Sequence, residues 1–207
     1  MKLLVATRNQ GKVRELQRLF ASLEGIELIG MSAFEHVPDV IEDADTFEGN
    51  AAKKALEVAR ATGLPTLADD SGLVVDALGG APGIYSARYA GSHGDDEANN
   101  DKLIGALEDV EDAKRTGRFV CALAFADPDG PLGERVHVLH GAIEGHLLRE
   151  RRGEGGFGYD PLFLPIGETR TTAEMPAEEK NAISHRAEAS RKMHDFLGRY
   201  LPERAGA

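Results

Sequence analysis

The 207-residue chain has one cysteine, no apolar run of membrane-spanning length, and fewer basic residues (24) than acidic ones (35), for a net charge of −11. A lone cysteine rules out an intrachain disulfide and a cysteine-based metal site. Cys121 sits among Phe119-Val120 and Ala122-Leu123, so it reads as a buried, inert thiol. The acidic balance argues against a broad surface for a nucleic-acid polymer or an anionic membrane, yet leaves room for a small anion in a local basic pocket. The opening run Met1–Ala6 is too short for a signal-peptide core, and no stretch is long enough to span a bilayer. The expectation is a cytoplasmic protein with no membrane partner. Hydrophobic residues at 42% support a real core, and residues 1–207 are read as a single domain with room for two lobes.

What the chain does have is an acidic pair, Asp69-Asp70, inside Ala68-Asp69-Asp70-Ser71-Gly72. Asp, Ser and Gly favour turns, and a solvated turn is the simplest reading of these five residues. On an extended backbone, adjacent side chains point to opposite faces, so the two aspartates would do different jobs. Close carboxylates repel, which a divalent cation or a shared proton offsets.

Upstream, Leu3–Ala6 reads as a short buried strand. It leads into the polar loop Thr7-Arg8-Asn9-Gln10-Gly11-Lys12 and a helix carried by Val13, Leu16, Leu19, Phe20 and Leu23. Such a strand–loop–helix unit offers backbone N–H groups, a helix dipole and the Lys12 charge to an anion. A plain loop with a solvated lysine fits the same residues. An acidic loop, Glu42–Asp45, precedes a helix capped by Thr46 and stopped at Gly63-Leu64-Pro65 near Thr62. Asn50 and Lys54 are four apart and share a face of that helix. Lys54 is within reach of a phosphate, and Glu42 is of a type that binds metal.

Leu78–Tyr89 is too irregular for a regular element. Asp95–Val110 reads as an amphipathic helix whose polar residues form a solvated face. Phe119–Ala126 and Arg135–Ile143 read as strands joined by the Asp127-Pro128-Asp129-Gly130 turn, with His137 and His140 as structural residues. In Glu154–Pro161, glycines surround Phe157, which fits either a ring exposed to stack on a base or a tight turn with the ring tucked into the core. The last helix starts at a Ser184 cap with a buried stripe of Ile183, Ala187, Ser190, Met193, Leu197 and Tyr200 or Leu201. His185 and Arg186 then fall in its first turn. Cations there oppose the helix dipole at roughly 0.3–1 kcal/mol each, which points to an electron-rich ligand in front of the helix. The Ala-Gly-Ala tail reads as disordered.

Taken together, five segments in this order resemble the noncanonical purine NTP pyrophosphatases, the inosine triphosphatase family. They are Thr7-x-Asn9-x-Gly11-Lys12, Ala68-Asp69-Asp70-Ser71-Gly72, Gly80-Ala81-Pro82-Gly83-Ile84-Tyr85-Ser86-Ala87-Arg88, Gly156-Phe157-Gly158-Tyr159-Asp160-Pro161 and Glu179-Lys180-Asn181-x-x-Ser184-His185-Arg186. The resemblance implies a two-lobed α/β fold with a long mixed sheet flanked by helices and a nucleotide cleft between the lobes. It also implies a homodimer, a Mg²⁺ requirement, and hydrolysis of ITP, dITP or XTP to the monophosphate plus pyrophosphate. Carried over onto this chain, Thr7, Arg8, Asn9, Gln10, Gly11, Lys12 and Lys54 hold the triphosphate. Glu42 and Asp70 hold the metal, Asp70 also takes the water's proton, and Asp69 supports it. Ser71 contacts the nucleotide, Phe157, Gly158, Tyr159 and Asp160 frame the base, and Lys180, His185 and Arg186 complete base recognition. Arg8 departs from the family pattern, which commonly has a small residue there.

The chemistry is consistent with this set. A carboxylate beside Mg²⁺ orients and deprotonates a water for attack at the α-phosphorus, and lysines stabilise the leaving pyrophosphate. Donors facing the base favour the 6-oxygen of hypoxanthine or xanthine over an adenine amine. Two alternatives stay open: a house-cleaning pyrophosphatase of another base preference, and a nucleotide-sensing module that binds without hydrolysis.

Overall fold

The computed structural model describes residues 1–23, 25–34, 37 and 40–205. Strands β1 (Lys2–Val5), β2 (Glu27–Gly30), β3 (Thr66–Val75), β4 (Thr116–Asp127), β5 (Gly133–Leu147) and β6 (Phe163–Pro165) form one sheet in the order β2-β1-β3-β4-β5-β6. β1 runs parallel to β2 and β3, while β5 and β6 are antiparallel, so the sheet is mixed. The helices are α1 (Gln10–Leu19), α2 (Phe47–Thr62), α3 (Asp96–Ala106), α4 (Ala177–Ile183) and α5 (His185–Ala205). The result is the expected α/β class. Among the described residues, no helix is long and apolar enough to cross a membrane.

The chain divides into two compact units: Met1–Asp70 with Cys121–Gly141 and Arg186–Ala207, and Ser71–Val120 with Ala142–His185. The first has two apolar clusters. One joins Leu3, Val5, Leu16 and Phe20 to Cys121, Leu123 and Phe125 of β4 and to Met193 and Leu197 of α5. The other sets Ala51, Ala55, Val58 and Ala59 of α2 against Leu4, Ala6, Ala68 and the alanines of β4. Small residues on both surfaces let helix and sheet approach closely. The second unit is built on Leu73, Val75, Leu103, Leu107, Phe119, Leu147, Tyr159 and Phe163. There Arg115, 2% exposed, donates to the carbonyls of Leu107, Leu147 and Leu148, tying the end of α3 to the end of β5.

Helix α2 follows its sequence signals closely. Thr46 accepts the Gly49 N–H, and Gly63 ends the helix at φ 65°, a left-handed conformation that glycine adopts without strain. Five expectations need correction. The acidic pair is not a turn: β3 continues unbroken through Asp69-Asp70-Ser71-Gly72. The polar loop after β1 is shorter than the sequence suggests, because Asn9 caps α1 and brings Gln10, Gly11 and Lys12 into its first turn. Helix α3 stops at Ala106, and its Asn99 and Asn100 are buried, not solvated. Ile183 is 38% exposed and outside the buried stripe, whereas Ala187, Ser190, Met193, Leu197 and Tyr200 lie in it. Of the Ala-Gly-Ala tail expected to be disordered, Ala205 instead ends α5, while residues 206 and 207 lie outside the described residues.

Candidate active site

Strand β3 carries its two aspartates into separate networks, as strand alternation requires. Asp69, 2% exposed, accepts from Nε and Nη2 of Arg186 at 3.1 and 2.9 Å. Its other oxygen lies 3.2 Å from Lys12 Nζ. Arg186 is itself 1% exposed and also donates to Glu15 Oε2 at 2.7 Å. Burial works against charge on Asp69, but Lys12, Arg186 and Lys54 outweigh it and hold the carboxyl far below the usual range. Glu15 and Asp69 thus balance the buried Arg186 and the half-buried Lys12. Cys121 lies near this cluster, and burial pushes its thiol up, consistent with an inert core residue.

Asp70 belongs to the other network. Asn50, 1% exposed, donates to Asp70 Oδ2 at 3.1 Å and accepts the Ala44 N–H at 2.9 Å. It therefore ties the acidic loop to β3. Lys54, one helical turn on, pairs with Glu42. Burial raises the Asp70 pKa; Lys54 opposes that, Glu42 reinforces it, and Asn50 and Lys12 oppose it further. Two carboxylates with one lysine leave a negative charge in excess here.

The polar segment after β1 departs from a ring of free amides. Asn9 Oδ1 accepts the N–H groups of Gly11 and Lys12 at 2.8 and 3.1 Å, and Thr7 Oγ1 accepts that of Asn9 at 3.2 Å. Gln10 donates to Ser32 Oγ at 3.4 Å. Arg8 Nη2 donates to the Val37 carbonyl at 3.0 Å, which gives this departure from the family pattern a structural partner.

In the second unit, Asp160, 3% exposed, accepts the Phe157 N–H at 2.9 Å and the Thr172 hydroxyl at 2.8 Å. It also pairs with Lys180. The Lys180 ammonium sits 4.9 Å from the centre of the Phe157 ring, a cation–π contact. Phe157 is 36% exposed. Tyr159, expected to frame the base, is a core residue instead: it is 3% exposed and donates to the Ser86 carbonyl at 2.8 Å. His185 is mostly buried and stacks on Phe119 at 5.1 Å and 14°. Ser71 is half-buried on β3.

Among the predicted residues, the structure thus groups Lys12, Asp69 and Arg186, then Glu42, Lys54 and Asp70, then Phe157, Asp160 and Lys180. Arg186 was expected at the base but is engaged by Asp69 and Glu15. The electron-rich groups in front of α5 are therefore two of the protein's own carboxylates. Glu15 and Asn50 were not singled out as site residues. No local signal marks them: each is turned about 100° from its sequence neighbour, Leu16 or Ala51, and so lies off the apolar stripe of its helix.

Among the described residues, no group of three or more His, Cys, Asp or Glu is gathered for a metal. The donors present still suit one kind of ion. Glu42 and Asp70 are hard oxygen ligands, and a small divalent cation commonly takes one or two carboxylates and completes its shell with water and phosphate oxygens.

An α/β fold whose central strand sets a carboxylate pair among half-buried lysines and a buried arginine suits a protein of the nucleoside-triphosphate-processing class. The chain belongs to the Ham1 family, whose model matches residues 3–196. It is 53% identical over 194 residues to a dITP/XTP pyrophosphatase of Streptomyces coelicolor, covering 93% of this chain and 94% of that one. It is 51% identical over 199 residues to the dITP/XTP pyrophosphatase of Desulforamulus reducens, covering 96% of each. Among solved structures, a HAM1 protein from Coxiella burnetii superposes with a TM-score of 0.86 at 41% identity, over 96% of this chain and 99% of that one.

Proposed function

We propose that this protein hydrolyses deaminated purine nucleoside triphosphates (dITP, XTP and ITP) to the monophosphate and pyrophosphate, with Mg²⁺ as its cation. The observation that carries this reading is identity of about half over nearly the whole chain to proteins named dITP/XTP pyrophosphatase. The role is removal of deaminated purines from the nucleotide pool, by a cytoplasmic homodimer.

Glu42 and Asp70 would hold the cation, which when bound supplies Lewis-acid polarisation of the triphosphate and lowers the pKa of a coordinated water. Asp70 serves as proton acceptor, held in place by Asn50. Lys54 and Lys12 neutralise phosphate charge, and Lys12 is kept in place by ionised Asp69. Thr7, Asn9 and Gln10 shape the turn that carries Lys12. Phe157 offers its exposed face to the base, and Lys180 and His185 offer donors to the 6-oxygen of hypoxanthine or xanthine.

The deciding experiment incubates the protein with dITP, XTP, ITP, ATP, dGTP and dUTP, with and without Mg²⁺. Pyrophosphate release from the three deaminated purines alone, abolished by EDTA and restored by Mg²⁺, is expected. Orthophosphate as the first product would overturn the cleavage site. Binding without release would favour a sensing module.

A further inference from the structure

Helix α3 was read as having a solvated polar face, yet it grips the glycine-rich loop. Asp96, the first residue of α3, accepts the Gly158 N–H at 2.7 Å. Asn100, one turn later and 2% exposed, donates to the Gly158 carbonyl at 2.8 Å and to the Asp96 carbonyl at 2.7 Å. Residues four apart share a helix face, so one face of α3 holds both polar groups of a single residue. Gly158 sits at φ 63°, where a side chain would be strained. At the preceding peptide, Asp160 takes the Phe157 N–H. Three backbone groups flanking Phe157 are therefore fixed by side chains while its ring stays 36% exposed. A loop that only closed the core would bury that ring.

We propose that Asp96 and Asn100 are positioning residues for nucleobase binding: by holding the Gly158 peptide they fix the direction of the Phe157 ring. This rests on the reading that Phe157 stacks on the base. An aromatic ring loses part of its stacking contact when it is free to swing. Fixing it through the backbone adds no side chain over the ring beyond the Lys180 ammonium. The Asp96 carboxylate makes this a charge-assisted bond, among the stronger kinds of hydrogen bond.

The test compares KM and kcat for ITP with the inhibition constant of inorganic pyrophosphate, a probe with no base. Asp96→Ala and Asn100→Ala are expected to raise KM for ITP about tenfold, with kcat within about twofold and pyrophosphate inhibition unchanged. Asp96→Asn, which keeps an acceptor for the Gly158 N–H, should restore KM to within about threefold of the native value. The double variant Asp96→Ala/Phe157→Ala should be no worse than Phe157→Ala, because both act through one ring. If Asn100→Ala fails to fold, Asp96→Ala at the helix start carries the test alone. An unchanged KM in Phe157→Ala would overturn the stacking reading beneath the proposal. A raised KM in Phe157→Ala with full additivity, or with Asp96→Ala at native KM, would overturn the positioning role alone. Weakening of pyrophosphate to the same degree as ITP would also overturn it, since it would mean a general disturbance.

Discussion

Asn50 links the Ala44 amide to the Asp70 carboxylate, with 2.9 Å on one side and 3.1 Å on the other. One buried amide thereby fixes both the acidic loop that carries Glu42 and the strand that carries Asp70. Asn50→Ala would leave the Ala44 N–H and an Asp70 oxygen short of a partner. The expected result is a loss of about 1–3 kcal/mol in urea unfolding and at least a tenfold drop in pyrophosphate release. Retained turnover would show that Asp70 does not need this support.

Asp70→Asn keeps the shape of the side chain but removes the base and one metal-binding charge. Turnover should fall by about three orders of magnitude or more, while the thermal midpoint stays the same or rises, because a buried carboxylate with a raised pKa is replaced by a neutral group. Near-native rates would mean that another carboxylate accepts the proton.

Asp69 should make the fold sensitive to acid. Its folded-state pKa is depressed, so its contribution to stability is complete above the unfolded carboxylate value, about 3.9, and declines as pH falls toward the folded value. Arg186→Met removes the guanidinium from between Asp69 and Glu15 and should cost about 3–5 kcal/mol at neutral pH. The variant should also lose less stability than the native protein on acidification below about pH 4. Urea unfolding across that range measures both. Parallel pH curves for the two proteins would argue against the ionised cluster.

Lys180 contacts both Asp160 and the Phe157 ring. Lys180→Met keeps much of the apolar stem and removes the donor. It is expected to raise KM for ITP severalfold and to narrow the preference for ITP over ATP, measured as the ratio of kcat/KM values. An unchanged ratio would place recognition of the 6-oxygen on another donor.

The sequence was most informative where a single local signal decides the outcome. Thr46 and Gly63 mark the ends of α2 because capping and left-handed glycine act within a few residues. The apolar spacing of α5 likewise predicted its buried face. Local signals misled at Asp69-Asp70, where turn-forming residues lie in mid-strand; the charge is tolerated there only because Lys12 and Arg186 arrive from distant parts of the chain. Arg186 shows the same limit from the other side. A cation at a helix start implied an electron-rich ligand, but the group that meets it is the protein's own Asp69, 117 residues away, which nothing local announces. Asn99 and Asn100 read as solvated for the same reason, since their burial depends on the segments packed over α3.

Helix α5 is anchored at both ends. Arg186 at its start reaches Asp69 and Glu15, while Tyr200 and Arg204 near its finish reach the buried carboxylate of Asp127. At a rise of about 1.5 Å per residue, Arg186 and Tyr200 are roughly 21 Å apart along the helix. The helix is therefore a ruler: substitutions along its outer face leave the spacing alone, but one inserted or deleted residue would turn Arg186 by about 100° relative to the Asp127 anchor. Changes of length in this segment should be far more damaging than changes of identity, even many residues from Asp69.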